Sequence, residues 1–371
     1  MINIAKVIID DETIKEVVEV LKSGHLVEGK VTRKFEESFA KWVNCKFAYS
    51  TSSGSTALLL ALLSLIKKDD EVIVPSFTHI STANSVIYAR GRVKFVDIDQ
   101  ETYNLSVEDL KLKISRNTKA IIAVHLFGLP ANLKEIGKIA EDYNAIVISD
   151  AAQAHGAKID GVNIANLSHL SCYSFYPTKN IVAGEGGMVA CDCEDCYRKG
   201  LLIKNHGDKG RYEHVDLGFN FRLNDIASAI GFNYLKKADE LISRRIQNAK
   251  FLISKLEKLE TLILPKVPKG YTHVYNQFSL RINKELLKVD RDGFVQELRK
   301  RGIDARVHYP LPIPLQPIYK SLHSLDESSI KVSKEVSSTI LSLPVHPYLT
   351  QEELSIIANK VEEVSKEFQK F

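Results

Sequence analysis

Residues 120–153 read AIIAVHLFGLPANLKEIGKIAEDYNAIVISDAAQ, and the reading of this stretch decides the fold. It opens with a short apolar run, residues 120–125, and closes on another, residues 145–150. Between them residues 131–143 read as a helix. Two short apolar strands joined through a helix predict a crossover connection, and a crossover makes the strands parallel. Working outward, apolar runs at 71–75, 93–97 and 169–175 repeat the pattern, with a helical stretch at 106–114. The first part of the chain is therefore expected to be α/β, a mainly parallel sheet covered on both faces. In such sheets ligands sit at the carboxyl ends of the strands, so chemistry is sought there.

Two helices precede this region. Residues 11–22 carry acidic residues in the first turn and Gly24 just past the end. Residues 32–43 place Phe35, Phe39 and Trp42 on one face. After about Leu241 the pattern changes. A charged helical stretch (235–259) leads to a strand-like piece (277–282), a Pro-rich stretch (309–317) and a closing helix (351–369). A chain of 371 residues is long for one simple core. The expected division is a large domain, residues 1–245, and a smaller C-terminal α+β domain, residues 246–371. The first 30 residues are expected to pack on the small domain or on a partner subunit.

Hydrophobic residues make up 44% and charged residues 26%, an ordinary globular balance. A formal net charge of +4 gives no reason to expect a nucleic-acid partner. No basic stretch leads into an apolar run and cleavage site at the N-terminus, and no window is apolar enough to span a bilayer. A cytoplasmic protein without a membrane partner is expected. Five cysteines, an odd and low count, argue against a disulfide framework. Cys191-Asp-Cys193-Glu-Asp-Cys196 offers three thiols without a fourth ligand at finger spacing, so an acidic turn between strand and helix is preferred to a metal site.

Three segments can carry chemistry. In Ser50-Thr-Ser-Ser-Gly-Ser-Thr56, small polar residues run into an apolar helix, and a helix N-terminus can hold a phosphate or simply be capped. Gly54 permits close backbone approach, and Ser55 adds a hydroxyl. Ala145-Ile-Val-Ile-Ser-Asp150-Ala-Ala-Gln153 ends an apolar strand in a carboxylate that packing does not require. It could cap the next helix, or pair with a protonated ring nitrogen as pyridoxal phosphate (PLP) chemistry needs. Ser174-Phe-Tyr-Pro-Thr-Lys179 sets a lysine after a strand and beside Gly184-Glu-Gly-Gly187. Burial would favour the neutral amine that attacks a carbonyl; most lysines are instead solvated. Each segment has an ordinary reading alone. Together they place a phosphate seat, a ring-nitrogen carboxylate and a Schiff-base lysine on one sheet.

With these motifs the chain resembles the DegT/DnrJ/EryC1/StrS family of sugar aminotransferases, which are fold-type I PLP enzymes. The resemblance runs from Ser23 to the end. It also rests on Pro75-Ser-Phe-Thr-His79, Val96-Asp-Ile-Asp99, His125-Leu-Phe-Gly128, Asn205-His-Gly207 and Leu217-Gly-Phe-Asn-Phe-Arg222. It implies that Lys179 forms the Schiff base and shuttles the proton. Asp150 would hold the pyridine nitrogen, and Gln153 would lie near the ring hydroxyl. Gly54, Ser55 and Ser174 would bind the phosphate. Asn220 would reach the cofactor phosphate of a neighbouring subunit, and Arg222 would stand near that subunit's substrate, so a homodimer with shared sites is implied. His308 and Tyr309 match substrate-side positions. Two departures stand out. His79 occupies the ring-stacking place where the family usually has Phe, Tyr or Trp. Residues 311–317, LPIPLQP, lack a histidine the family often carries.

Other motifs fail their context. Gly24-x4-Gly29-Lys30 is followed by Val31 and preceded by a helix, so it lacks both the hydroxyl and the strand of a P-loop. No Gly-x-Gly-x-x-Gly occurs. Arg244 and Arg245 read as a solvated helix face. The expected activity is transfer of an amino group, with glutamate as donor, to a nucleotide-linked 3-keto or 4-keto hexose. A PLP- or PMP-dependent sugar dehydratase and a non-catalytic PLP-binding regulator are the alternatives. The first often has His at the lysine position, and no DNA-binding helix pair supports the second.

Overall fold

The apolar runs find one another edge to edge. In the computed structural model, which describes residues 1–322 and 326–370, a central sheet is built from β1 (Phe47–Thr51), β2 (Glu71–Pro75), β3 (Arg92–Val96), β4 (Thr118–Val124) and β5 (Ile146–Asp150). A hairpin, β6 (Lys158–Ile159) and β7 (Val162–Asn163), precedes two further sheet strands, β8 (Leu170–Ser174) and β9 (Gly187–Cys191). The order is β1-β9-β8-β5-β4-β2-β3, and β9 is the one reversed strand. Residues 47–51 and 187–191 carry weak strand signals in the sequence. Ser50 and Thr51 are polar, and Gly187 opens β9, so neither segment shows a clean apolar run; burial and pairing decide them.

Helices cover both faces: α1 (Asp11–Ser23), α2 (Lys30–Val43), α3 (Gly54–Leu65), α4 (Ser81–Tyr88), α5 (Val107–Lys113), α6 (Leu133–Tyr143), α7 (Glu194–Lys204) and α8 (Asp225–Lys236). Side chains alternate across the sheet with period two. Ile73, Ile121, Ala123 and Val147 join Phe35, Phe39 and Ile136 on one side. Val72, Val74, Ile122 and Ile148 join Leu58, Leu62 and Val86 on the other. Two-sided burial explains why these strands read as continuous apolar runs.

The long helix expected over 235–259 is broken at Lys237, whose φ of −107° and ψ of 1° end α8 before α9 (Ala238–Leu256) begins. On α9, Leu241 and Ile242 pack in the first core, whereas Leu252 and Leu256 belong to a third apolar cluster. That cluster also takes Phe278, Leu280, Leu341 and Leu343, and Ile357 and Val361 of helix Gln351–Glu367. Its strands are β10 (Leu262–Ile263), β12 (Phe278–Ile282) and β13 (Ile340–Leu343), after β11 (Tyr271–Thr272) has joined the hairpin. The N-terminus runs beside this part: Ile2 N donates to Gly302 O at 2.7 Å. Arg245 is not on a solvated face; it is buried, and its Nη1 donates to Asn276 O at 3.3 Å. Among the described residues, no helix is long and apolar enough to cross a membrane.

Candidate active site

The carboxyl ends of β5 and β8 and the start of α3 open onto one cavity of about 420 Å³. Ser53 caps α3, its Oγ accepting from Thr56 N at 3.2 Å. The following turn presents backbone N–H groups, as every helix start does. Gly54 has to lack a side chain, because a Cβ there would lie 2.6 Å from the Cβ of Ser174. Ser55 Oγ donates to Ser81 Oγ at 2.9 Å.

Asp150 ends β5 and is buried. Its Oδ2 accepts from Thr82 Oγ1 at 2.8 Å and its Oδ1 from Ala152 N at 3.2 Å. Burial raises its pKa, against the pull of those two donors and of the Lys179 charge. Lys179 follows β8 in a turn closed by its own N–H to Tyr176 O at 2.9 Å. Burial lowers its ammonium to about 8, opposed by Asp150. About one amine in ten is then neutral at pH 7, far more than for a solvated lysine, as a Schiff-base lysine requires.

The opposite wall is aromatic and polar. Gln153 Oε1 accepts from Phe127 N at 2.6 Å, and its Nε2 donates to Tyr309 Oη at 3.2 Å. His79 packs edge-on to Tyr309, with centroids 5.9 Å apart. Its Nδ1 accepts from Ser81 N at 3.2 Å, which leaves the proton of the neutral ring on Nε2. Burial, then the Lys179 charge, lowers the His79 pKa. Burial likewise brings His308 down to about 4, and its Nδ1 lies 3.3 Å from Ser342 Oγ.

Gly54, Ser55, His79, Asp150, Gln153, Ser174, Lys179, His308 and Tyr309 thus share one cavity. Asn220 and Arg222 do not line it. Arg222 donates to Asn205 Oδ1, and Asn220 pairs backbone to backbone with Asn205 at the end of α7. A larger cavity of about 650 Å³ lies between α1, α2 and α8, but none of the expected site residues lines it. Sequence reasoning passed over Thr82 and assigned no role to Glu185 or the buried His125, which sit inside motifs it quoted; all three line the site. Thr82 was findable: it stands three residues after His79, in the first turn of the next helix.

A side-chain-free seat at a helix start, a carboxylate at a strand end and an amine biased toward neutrality form the donor set that PLP needs. The sequence profile of the DegT/DnrJ/EryC1/StrS aminotransferase family matches residues 7–362. The chain belongs to this family. Its members are PLP-dependent sugar aminotransferases, and the cofactor of this chain is PLP. The chain is 38% identical over 372 aligned residues to the uncharacterised protein MJ1066 of Methanocaldococcus jannaschii, covering 97% of this chain and 96% of that one. It is 34% identical to the UDP-N-acetyl-3-dehydro-alpha-D-glucosamine 3-aminotransferase of Acidithiobacillus ferrooxidans, covering 95% and 93%. The crystal structure of S. venezuelae DesV in complex with a ketimine intermediate superposes with a TM-score of 0.92 at 31% identity, covering 96% of this chain and 94% of that one.

Proposed function

We propose that this aminotransferase moves the amino group of L-glutamate to a 3-keto or 4-keto hexose carried on a nucleotide. One observation carries the reading: Lys179, with its lowered pKa, shares a cavity with the buried Asp150 and the start of α3. Bound PLP supplies an aldehyde and an electron-withdrawing ring. The residues of the chain do the rest. Lys179 anchors the cofactor covalently, then moves a proton at the carbon that loses or gains nitrogen. Asp150, positioned by Thr82, favours a protonated ring nitrogen; a cation beside it would lower its own raised pKa. Gly54, Ser55 and Ser174 hold the phosphate. Gln153 would lie near the ring hydroxyl, and His79 would stack on the ring. His308 and Tyr309 face the substrate. A lysine at position 179, rather than histidine, favours transfer over dehydration.

Asn220 and Arg222 complete the site of a second copy in a two-fold dimer. The sugar specificity rests on the relative acting on a 3-dehydro sugar nucleotide. The test is a glutamate half-reaction followed by a panel of nucleotide keto-sugars read by mass. One equivalent of 2-oxoglutarate per site, then an amino-sugar product, is expected. A holoenzyme that releases no 2-oxoglutarate and aminates none of the panel would contradict the reading.

A further inference from the structure

Of the five cysteines, Cys45, Cys172 and Cys191 are buried as free thiols, and Cys193 and Cys196 are joined sulfur to sulfur. The joined pair closes a Cys-x-x-Cys turn outside the amino-transfer cavity. Cys193 is exposed and Cys196 half-buried. Their Cα atoms are 5.3 Å apart, inside the range a disulfide spans without moving the backbone. Cys193 is also the N-cap of α7, its sulfur accepting from Cys196 N at 3.2 Å. That turn is exposed at Cys193, so a small reagent can reach its sulfur.

The far end of α7 makes the position consequential. Lys204, its last residue, is buried and pairs with Glu28 at 3.0 Å and Glu36 at 3.1 Å. Asn205, next in the chain, accepts from Arg222. Phe219 N and Phe221 N donate to Ile203 O and Lys204 O. Segment 205–222 is thus bonded to the last turn of a helix whose first turn carries the cysteines. The two ends are about 16 Å apart at 1.5 Å per residue.

We infer that Cys193 and Cys196 are a reversible dithiol–disulfide modification site whose state sets the order of α7 and of segment 205–222. The reaction partner is a small thiol–disulfide couple such as glutathione. The Cys193 thiolate attacks one sulfur of the oxidised reagent, releasing one thiol and leaving a mixed disulfide. The Cys196 sulfur then displaces the second thiol and closes the ring. The protein loses two electrons and two protons, and one reagent disulfide becomes two thiols.

The experiment takes the PLP-loaded enzyme, reduces it with a phosphine, removes the reductant and equilibrates it in graded mixtures of reduced and oxidised glutathione. Thiols are trapped by alkylation and mapped by peptide mass, and amide hydrogen exchange is followed in parallel. Two thiols should close reversibly: the peptide spanning 193–196 should carry two alkyl groups when reduced and none when oxidised, its mass then about 2 Da below that of the unalkylated dithiol, for the two hydrogens lost. Amides of α7 and of segment 205–222 should exchange at least about threefold more slowly in the oxidised form. Cys193→Ser keeps an oxygen at the N-cap and should fold normally. It should show neither change. Five thiols titrating in the most oxidising mixture would overturn the inference. So would a stable mixed disulfide that never closes, or exchange that changes only at residues 194–197.

Discussion

The cavity wall and segment 205–222 carry candidate site residues in opposite ways. In the wall, polar groups are paired within the chain: Asp150 with Thr82 and Ala152, Gln153 with Phe127 and Tyr309. In the segment, the backbone is equally well tied, with His206 N to Phe219 O at 3.1 Å and Phe221 N to Lys204 O at 3.0 Å. Yet two of its apolar side chains face outward; Leu217 is 86% and Phe219 65% exposed. A stretch that is held in shape and still shows apolar side chains asks for cover. The difference fits the proposed two-fold dimer, in which one chain would finish the lysine and carboxylate side of the site and a second copy would cover the Asn220–Arg222 side.

The largest expected effect breaks the wall. Lys179→Ala should lower amino transfer by about 10³-fold or more, since both anchor and proton carrier go. It should keep affinity for PLP through the α3 seat and Asp150, seen as cofactor that co-elutes without a covalent link. Normal turnover would show that the amine lies elsewhere.

The next effect tests the segment. Asn220→Ala with Arg222→Ala should be inactive alone. Mixed with Lys179→Ala and allowed to exchange subunits, it should recover up to about half of the wild-type rate per mixed dimer, because one of two sites is then intact. Exchange verified by native mass with no recovered activity would place Asn220 and Arg222 in service of their own chain.

Asp150→Asn separates charge from shape within the wall. The amide can keep the Thr82 contact, so circular dichroism should hold while the rate falls by about 10², the order expected when a fixed charge is removed from a reacting site. An unchanged rate would remove Asp150 from the ring nitrogen.

A smaller, graded effect follows from pH. The ammonium of Lys179 titrates at about 8. Because only the neutral amine attacks, capture of PLP by the cofactor-free enzyme should quicken about tenfold per pH unit below that value and level off above it. Stopped-flow absorbance reads this directly. A rate that is flat, or that falls as pH rises from 6 to 8, would mean that Lys179 is not the limiting titration.

Much of this wall was legible from the chain alone. Asp150 ends β5 and Lys179 follows β8, where a parallel sheet presents ligands, and short apolar runs located those strands. The parts that stayed hidden depend on contacts between distant residues. β1 and β9 are defined by pairing with each other and by β8, not by an apolar run. Thr82 matters because α4 turns it toward Asp150, 68 residues away in sequence. The break at Lys237 depends on α9 leaving one core for another. The Cys193–Cys196 bridge is local, but a low and odd count of cysteines pointed away from disulfides and gave it no weight.

The most direct measurement of the central claim is to fix the cofactor on its lysine. Holoenzyme reduced with sodium borohydride, digested and mapped by mass should carry the pyridoxyl group on the peptide containing Lys179 and on no other, and Lys179→Ala should carry none. A pyridoxyl adduct on a different lysine, or an unmodified Lys179 in enzyme that transfers amino groups, would contradict it.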